Sequence, residues 1–145
     1  MKKINSFKLT VPSKSVNEGF SRAVAAAFAS LCDPTVEDVC DIKTAVSEAV
    51  TNCTVHAYPD GEGQIFIDGA LYEDNILKVK IRDRGVGIEN IEQAMEPLFT
   101  TAGGDRSGLG FSVMESFSDK VAVRSAVGRG TVVTLTKKLS CREKI

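Results

Sequence analysis

The chain has 145 residues, 43% of them hydrophobic and 26% charged. That length is enough for one domain with its own buried core, and the composition is that of an ordinary globular protein. A net charge of −1 gives no general attraction to nucleic acid or an anionic membrane, and no apolar run is long enough to span a bilayer.

The basic start, Met1 to Asn5, precedes no apolar stretch of the signal-peptide kind, so a cytoplasmic location is expected. Phe7, Leu9 and Val11 alternate with polar residues and predict a half-buried strand that ends at Pro12-Ser13. Residues 15–31 carry Val16, Phe20, Val24, Ala27, Phe28 and Leu31 at helical spacing. Asp33-Pro34-Thr35 breaks that helix, and Thr35 is a plausible N-cap for a second one reaching about residue 55. Tyr58-Pro59-Asp60-Gly61 is a turn. Strands are expected over 64–71 and 76–82, joined by a hairpin-like Tyr72-Glu73-Asp74-Asn75. A glycine loop, a short helix around 91–95 and a small-residue loop over 96–107 follow. A helix over 108–117 and strands over 121–125 and 131–139, parted by Gly128-Arg129-Gly130, complete the order. Adjacent strand pairs imply hairpins, so the expected fold is an α/β two-layer sandwich: a mixed, mainly antiparallel sheet covered on one face by helices. It should form a single domain over residues 1–145, with an ordered core of about 7–139 and a frayed tail, 140–145.

Cys32, Cys40, Cys53 and Cys141 form no C-x-x-C pair, and the single histidine, His56, cannot complete a usual zinc set with them. Cys40 and Cys53 read as small buried apolar residues, and without a secretory signal disulfides are not expected.

Three segments can carry chemistry. Asp83-Arg84-Gly85-Val86-Gly87 puts a carboxylate at a strand end beside two flexible backbone positions. It is either an ordinary turn or a reader of the amino edge of a purine. Glu48 and Asn52 share a helix face at i, i+4. They form either a solvated polar end or a site where an amide oxygen binds Mg²⁺ and a carboxylate takes a proton from an attacking hydroxyl. Pro97 to Phe111 is a small-residue loop ending in Gly108-Leu109-Gly110 at a helix start, a suitable phosphate cradle, with Arg106 as a forked donor. Gly130-Thr131 opens the last strand, and the threonine hydroxyl could reach Asp83.

Together and in this order, the four elements resemble the GHKL superfamily, whose members share the Bergerat ATP-binding fold. Glu48 to Asn52 is similar to its N box, Asp83 to Gly87 to its first glycine box, Arg106 to Gly110 to its lid and second glycine box, and Gly130-Thr131 to its last motif. Ser47 to Asn52, Val55-His56, Ile81-Arg82-Asp83, Pro97 to Thr101 and Arg106-Ser107-Gly108 further resemble the anti-sigma F factor family of spore-forming bacteria, from about residue 7 to 139. Ala57 departs from an expected glycine after the histidine, and Ala102 to Asp105 is shorter and richer in glycine than expected.

The resemblance implies an ATP- and Mg²⁺-dependent protein serine kinase that binds and inhibits a sporulation sigma factor (sigma F) and phosphorylates its anti-anti-sigma antagonist on serine. It implies a homodimer, no direct contact with nucleic acid and no membrane association. Glu48 is then the general base and Arg106 the group that stabilises the transferring phosphoryl. Asp83 reads adenine beside Gly85 and Gly87, Thr131 supports the pocket, and Asn52 holds Mg²⁺. Thr100, Thr101, Ser107, Gly108, Leu109 and Gly110 belong to the nucleotide site. Arg22, with Phe20 and Ser21, faces a partner protein. Other readings are a nucleotide-gated sigma-binding protein with little catalysis and a detached histidine-kinase catalytic domain. The latter would have to make His56 the phosphoacceptor, whereas its position reads as a packing or hydrogen-bonding residue.

Overall fold

The structure, a computed structural model, describes residues 1–96 and 110–141. The elements run β1 (Lys3–Pro12), α1 (Val16–Ala29), α2 (Val36–Asn52), β2 (Gln64–Tyr72), β3 (Ile76–Asp83), α3 (Ile91–Ala94), α4 (Gly110–Ser116), β4 (Lys120–Ala126) and β5 (Gly130–Lys138). The strands form one sheet in the order β1-β2-β3-β5-β4, and all four pairings are antiparallel. The two-layer α/β sandwich and its antiparallel sheet are thus as the hairpins implied.

Period-two alternation decides which sheet face is covered. Ile65, Ile67 and Leu71 of β2, Leu77, Val79 and Ile81 of β3, and Val133 and Leu135 of β5 are all buried on the helix side. They pack against Ile42, Val46, Ala49 and Val50 of α2, with Ala25 and Phe28 of α1 completing the core. Phe28 meets Phe7 edge-on at 4.8 Å between ring centroids, and a side chain at Gly69 would collide with that Phe7 ring.

Helix α2 starts where its sequence dictates. The Thr35 hydroxyl accepts from the Asp38 N–H at 3.1 Å, and Glu37 and Asp38 lie at the positive end of the helix dipole. At its far end α2 widens into a π-helical turn, Cys53–Ala57, which aims the chain back at the sheet. Strand β1 is longer than the alternation of Phe7, Leu9 and Val11 predicts. Its first residues are exposed and are held by the ladder to β2, from Lys3 opposite Tyr72 onwards.

Two cysteine expectations are corrected. Cys32 and Cys141 form a disulfide with a Cα–Cα distance of 5.5 Å across 109 residues. Cys40 is exposed, because it follows Val36 by one helical turn on the outer side of α2; Cys53 is buried as expected. Ser140 and Cys141, read as the start of a frayed tail, are tied down: the Ser140 N–H donates to Asp38 Oδ2 at 2.7 Å beside the disulfide.

Candidate nucleotide site

The end of β3, the end of α2, the start of β5 and the start of α4 converge on the helix side of the sheet. Asp83 is 6% exposed. A buried carboxylate is tolerated only when hydrogen-bonded. Its Oδ1 accepts from the N–H groups of Gly85 at 3.0 Å and Thr131 at 3.2 Å. Its Oδ2 faces Cys53 Sγ at 3.5 Å. Burial above all, then the charge of Asp83 and its hydrogen bond, push the Cys53 thiol well above its ordinary pKa, so it remains a donor. A thiol is a weak donor. Oδ2 therefore keeps capacity for a stronger one, such as the exocyclic amino group of a purine.

The glycine loop after Asp83 is fastened from two sides. The Val86 N–H donates to the Ala57 carbonyl at 2.9 Å, and the Val86 carbonyl accepts from the Gly128 N–H at 2.8 Å. A Cβ on Gly85 would overlap the Ala57 carbonyl, and Gly87, at φ +77°, lies against the Ala126 carbonyl. The Tyr58 hydroxyl accepts from the Arg84 N–H at 2.8 Å and donates to the Gln64 carbonyl at 2.6 Å.

Thr131 reaches Asp83 through its backbone, not its hydroxyl. The hydroxyl instead lies 2.8 Å from Ser125 Oγ, because the antiparallel register sets these two residues opposite each other. Ser125 also donates to the Gly130 carbonyl at 3.0 Å and accepts from the Ile88 N–H at 2.7 Å. Sequence reasoning missed Ser125, which no motif marks; only the register of β4 with β5 brings it to the site. The contact of Cys53 with Asp83 was equally invisible, since 30 residues separate them.

The carboxylate of Glu48 and the amide of Asn52 meet above the first residue of α4. A Cβ on Gly110 would lie 3.1 Å from Asn52 Oδ1 and 3.4 Å from Glu48 Oε2. A bare glycine keeps that space open without displacing the Asn52 amide, which suits a phosphate and its cation. Among the described residues no cluster of three or more His, Cys, Asp or Glu could hold a metal alone. The donor set fits Mg²⁺ only if phosphate oxygens supply most of its ligands beside Asn52.

Glu48, Asn52, Asp83, Gly85, Gly87, Gly110 and Thr131 are thus brought together. Thr100, Thr101, Arg106, Ser107, Gly108 and Leu109 lie outside the described residues. His56 is half-buried in the π-helical turn. On α1, Arg22 pairs with Glu18 at 3.4 Å, near the exposed Phe20. Ser21, read with them as part of a partner surface, is fully buried, because it lies on the core side of α1.

The fold and these residues define a nucleotide-binding module, and comparison with known proteins identifies it. The histidine kinase-like ATPase domain family matches residues 13–137. An anti-sigma F factor of Caldanaerobacter subterraneus subsp. tengcongensis is 52% identical over 134 residues, which cover 92% of this chain and 93% of that protein. One from Clostridium acetobutylicum is 48% identical over 140 residues, 96% and 97% of the two chains. The chain belongs to the histidine kinase-like ATPase domain family and, within it, to the family of anti-sigma F factors. In fold it is similar to a crystal structure of RsbU and RsbW domains from Mycobacterium tuberculosis, with a TM-score of 0.70 at 22% identity over 97% of this chain and 34% of that one. It is also similar to a blue-light activated histidine kinase domain from Erythrobacter litoralis, with a TM-score of 0.59 at 22% identity over 85% and 61%.

Proposed function

We propose that this chain is an ATP-dependent protein serine kinase that also binds and inhibits a sporulation sigma factor and phosphorylates the anti-anti-sigma antagonist of that factor. Relatives of nearly equal length are named anti-sigma F factor, which supports the sigma-binding role. One observation carries the kinase reading: Glu48 and Asn52 converge on the open backbone of Gly110. A carboxylate and an amide oxygen at a helix start are what a hydroxyl-to-phosphate transfer requires.

In this reading Asp83 takes the adenine amino group on Oδ2, and Gly85 and Gly87 let the loop pass close to the ring. Asn52 Oδ1 faces the phosphates and would ligate Mg²⁺, which when bound neutralises phosphate charge. Glu48 accepts the proton of the partner's serine hydroxyl and orients its oxygen in line with the terminal phosphate. Phosphoryl transfer depends chiefly on such positioning and charge stabilisation. Arg106, with Thr100, Thr101, Ser107, Gly108 and Leu109, is proposed to cover the phosphates. The outer edge of β1 pairs with no strand among the described residues, which supports a homodimer built there.

The test is transfer of label from ATP, with Mg²⁺, to serine of a candidate anti-anti-sigma protein. Glu48→Gln should lower transfer by about a hundredfold or more while ATP binding persists. Undiminished transfer by that variant would remove Glu48 from the mechanism, and a label that is acid-labile would exclude phosphoserine.

A further inference from the structure

The sheet face turned away from the helices carries a charge pattern that the nucleotide site does not use. Strand β3 presents Lys78, Lys80 and Arg82 there, and β4 presents Lys120 and Arg124. Between them runs β5, whose outward residues are uncharged until its end. The register sets Arg82, Val132 and Arg124 in one row, Lys80, Thr134 and Ala122 in the next, and Lys78, Thr136 and Lys120 in a third. Lys138 stands at one end, opposite Ile76. The result is a floor of Val132, Thr134 and Thr136 between two cationic rails.

The geometry follows from strand spacing. Neighbouring strands lie about 4.8 Å apart, so the rails are roughly 10 Å apart at their backbones. Along β3 the cations repeat every second residue, at about 6.7 Å. Among the described residues, none of the six cations is in an ion pair. Two carboxylates stand beside them: Asp68, across the strand from Lys80, and Asp119, at the corner, where its Oδ2 accepts from the Lys138 N–H at 2.6 Å. Six like charges on one half-face, in a chain of net charge −1, are a local concentration that costs self-repulsion and is relieved by an acidic partner.

We propose that this half-face docks an acidic α-helical segment of a partner protein, laid along β5 between the rails. A helix is about 10–12 Å across with its side chains, which matches the spacing of the rails. Glutamates or aspartates on both flanks meet the two rails, and its small or apolar bottom meets Val132 and the methyl groups of Thr134 and Thr136. A single nucleic-acid strand fits less well. It needs free aromatic faces, whereas Phe66 is covered by Arg82 at 4.6 Å and Arg84 at 4.7 Å, and Tyr72 has Lys78 over it at 5.6 Å. A duplex offers its major groove to a helix or a two-stranded ribbon, not to a broad sheet. Because the face lies on the opposite side of the sheet from Asp83 and Asn52, docking there leaves the nucleotide site open.

The test uses the full chain and a labelled alanine–glutamate peptide that is helical with glutamates on both flanks, followed by fluorescence anisotropy. Affinity should fall about tenfold or more between about 50 mM and about 200 mM salt, and should be the same with ATP and with ADP. The triple substitution Lys80→Glu, Arg82→Glu, Arg124→Glu, all at exposed positions, should weaken the peptide at least tenfold, and Lys43→Glu on the outer side of α2 should not. A thermal melt of the triple variant within a few degrees of the parent shows that the fold survives. If the melt drops, Lys80→Gln with Arg124→Gln replaces it and should still weaken the peptide measurably. No binding at low salt, or binding that ignores these substitutions, overturns the proposal. So does equal binding of a proline-interrupted peptide of the same composition, which is not helical. Tighter binding of single- or double-stranded DNA, or of phosphatidylglycerol vesicles, through the same residues would assign the face to those partners instead.

Discussion

The Cys53 thiol stands 3.5 Å from Asp83 Oδ2, on the core side of a carboxylate whose other oxygen already holds two backbone N–H groups. Three donors thus fix the orientation of Asp83, and the weakest of them is on the oxygen proposed to read adenine. Asp83→Ala removes the acceptor for all three. Hydrogen bonds to a charged group contribute about 1.5–3 kcal/mol, so nucleotide affinity should fall by about tenfold to a hundredfold. Calorimetric titration checks it. ATP and ADP should lose equally, since the adenine end is common to both; a loss confined to ATP would move Asp83 to a role at the phosphates.

The same contact sets thiol reactivity. Cys53 is buried and its pKa is raised by burial, by the charge of Asp83 and by their hydrogen bond, whereas Cys40 is exposed. The thiolate is the reactive form. Iodoacetamide at mildly alkaline pH should modify Cys40 within minutes and leave Cys53 largely unmodified until the protein is unfolded. Cys32 and Cys141 should react only after unfolding and reduction. Peptide mass spectrometry reads all four. Rapid labelling of Cys53 in the native protein would contradict the burial described.

Gly85 has a different sensitivity. A Cβ there would overlap the Ala57 carbonyl and come within 2.7 Å of the Ala57 methyl. Gly85→Ala should therefore destabilise by roughly 1–3 kcal/mol, the usual cost of overpacking, and weaken nucleotide binding by displacing the loop. Adding Ala57→Gly should not restore the parent, because the backbone carbonyl remains the nearer obstacle. Denaturant unfolding of the single and double variants measures this; full rescue by Ala57→Gly would mean that the methyl, not the carbonyl, is the constraint.

How much of this was legible in the sequence depended on how local the signal was. The alternation in β2, β3 and β5 is local, and these strands lie within a residue or two of their expected limits. Glu48 and Asn52 were legible as a pair because an i, i+4 spacing fixes a shared face wherever the helix goes. Asp83 was legible only as a carboxylate before two glycines; that Gly85, Thr131 and Cys53 hold it needs the β3–β5 pairing and the packing of α2. Ser125 follows from register alone. The bond between Cys32 and Cys141 joins residues 109 apart, and nothing in their neighbourhoods marks them as partners. The exposure of Cys40 shows the limit of residue type as a guide: a cysteine on the outer side of a helix is set by helical phase, not by its own polarity.

Lys137 ties the first two turns of α2 to the end of β5. Its Nζ lies 2.9 Å from Asp41 Oδ2 and 3.9 Å from Asp38 Oδ1, with about a sixth of each side chain or less exposed to solvent at 17%, 17% and 12% for Lys137, Asp41 and Asp38. Burial alone would lower the lysine pKa. The hydrogen bond that Lys137 donates to Asp41, and the charges of Asp41, Asp38 and Asp119, outweigh it and raise the pKa above its ordinary value. A group whose folded pKa is raised stabilises fully below its unfolded pKa, about 10.4 for lysine, and that contribution is lost as pH rises through the higher folded value. Lys137→Met leaves the largely buried carboxylates of Asp38 and Asp41 without their cation and should cost roughly 1–3 kcal/mol at neutral pH. Urea unfolding of parent and variant at neutral pH and again above the lysine range provides the check. The difference between them should be constant from neutral pH to about pH 10 and shrink beyond it. A difference that persists unchanged into strong alkali would assign the role of Lys137 to packing of its alkyl chain, not to its charge.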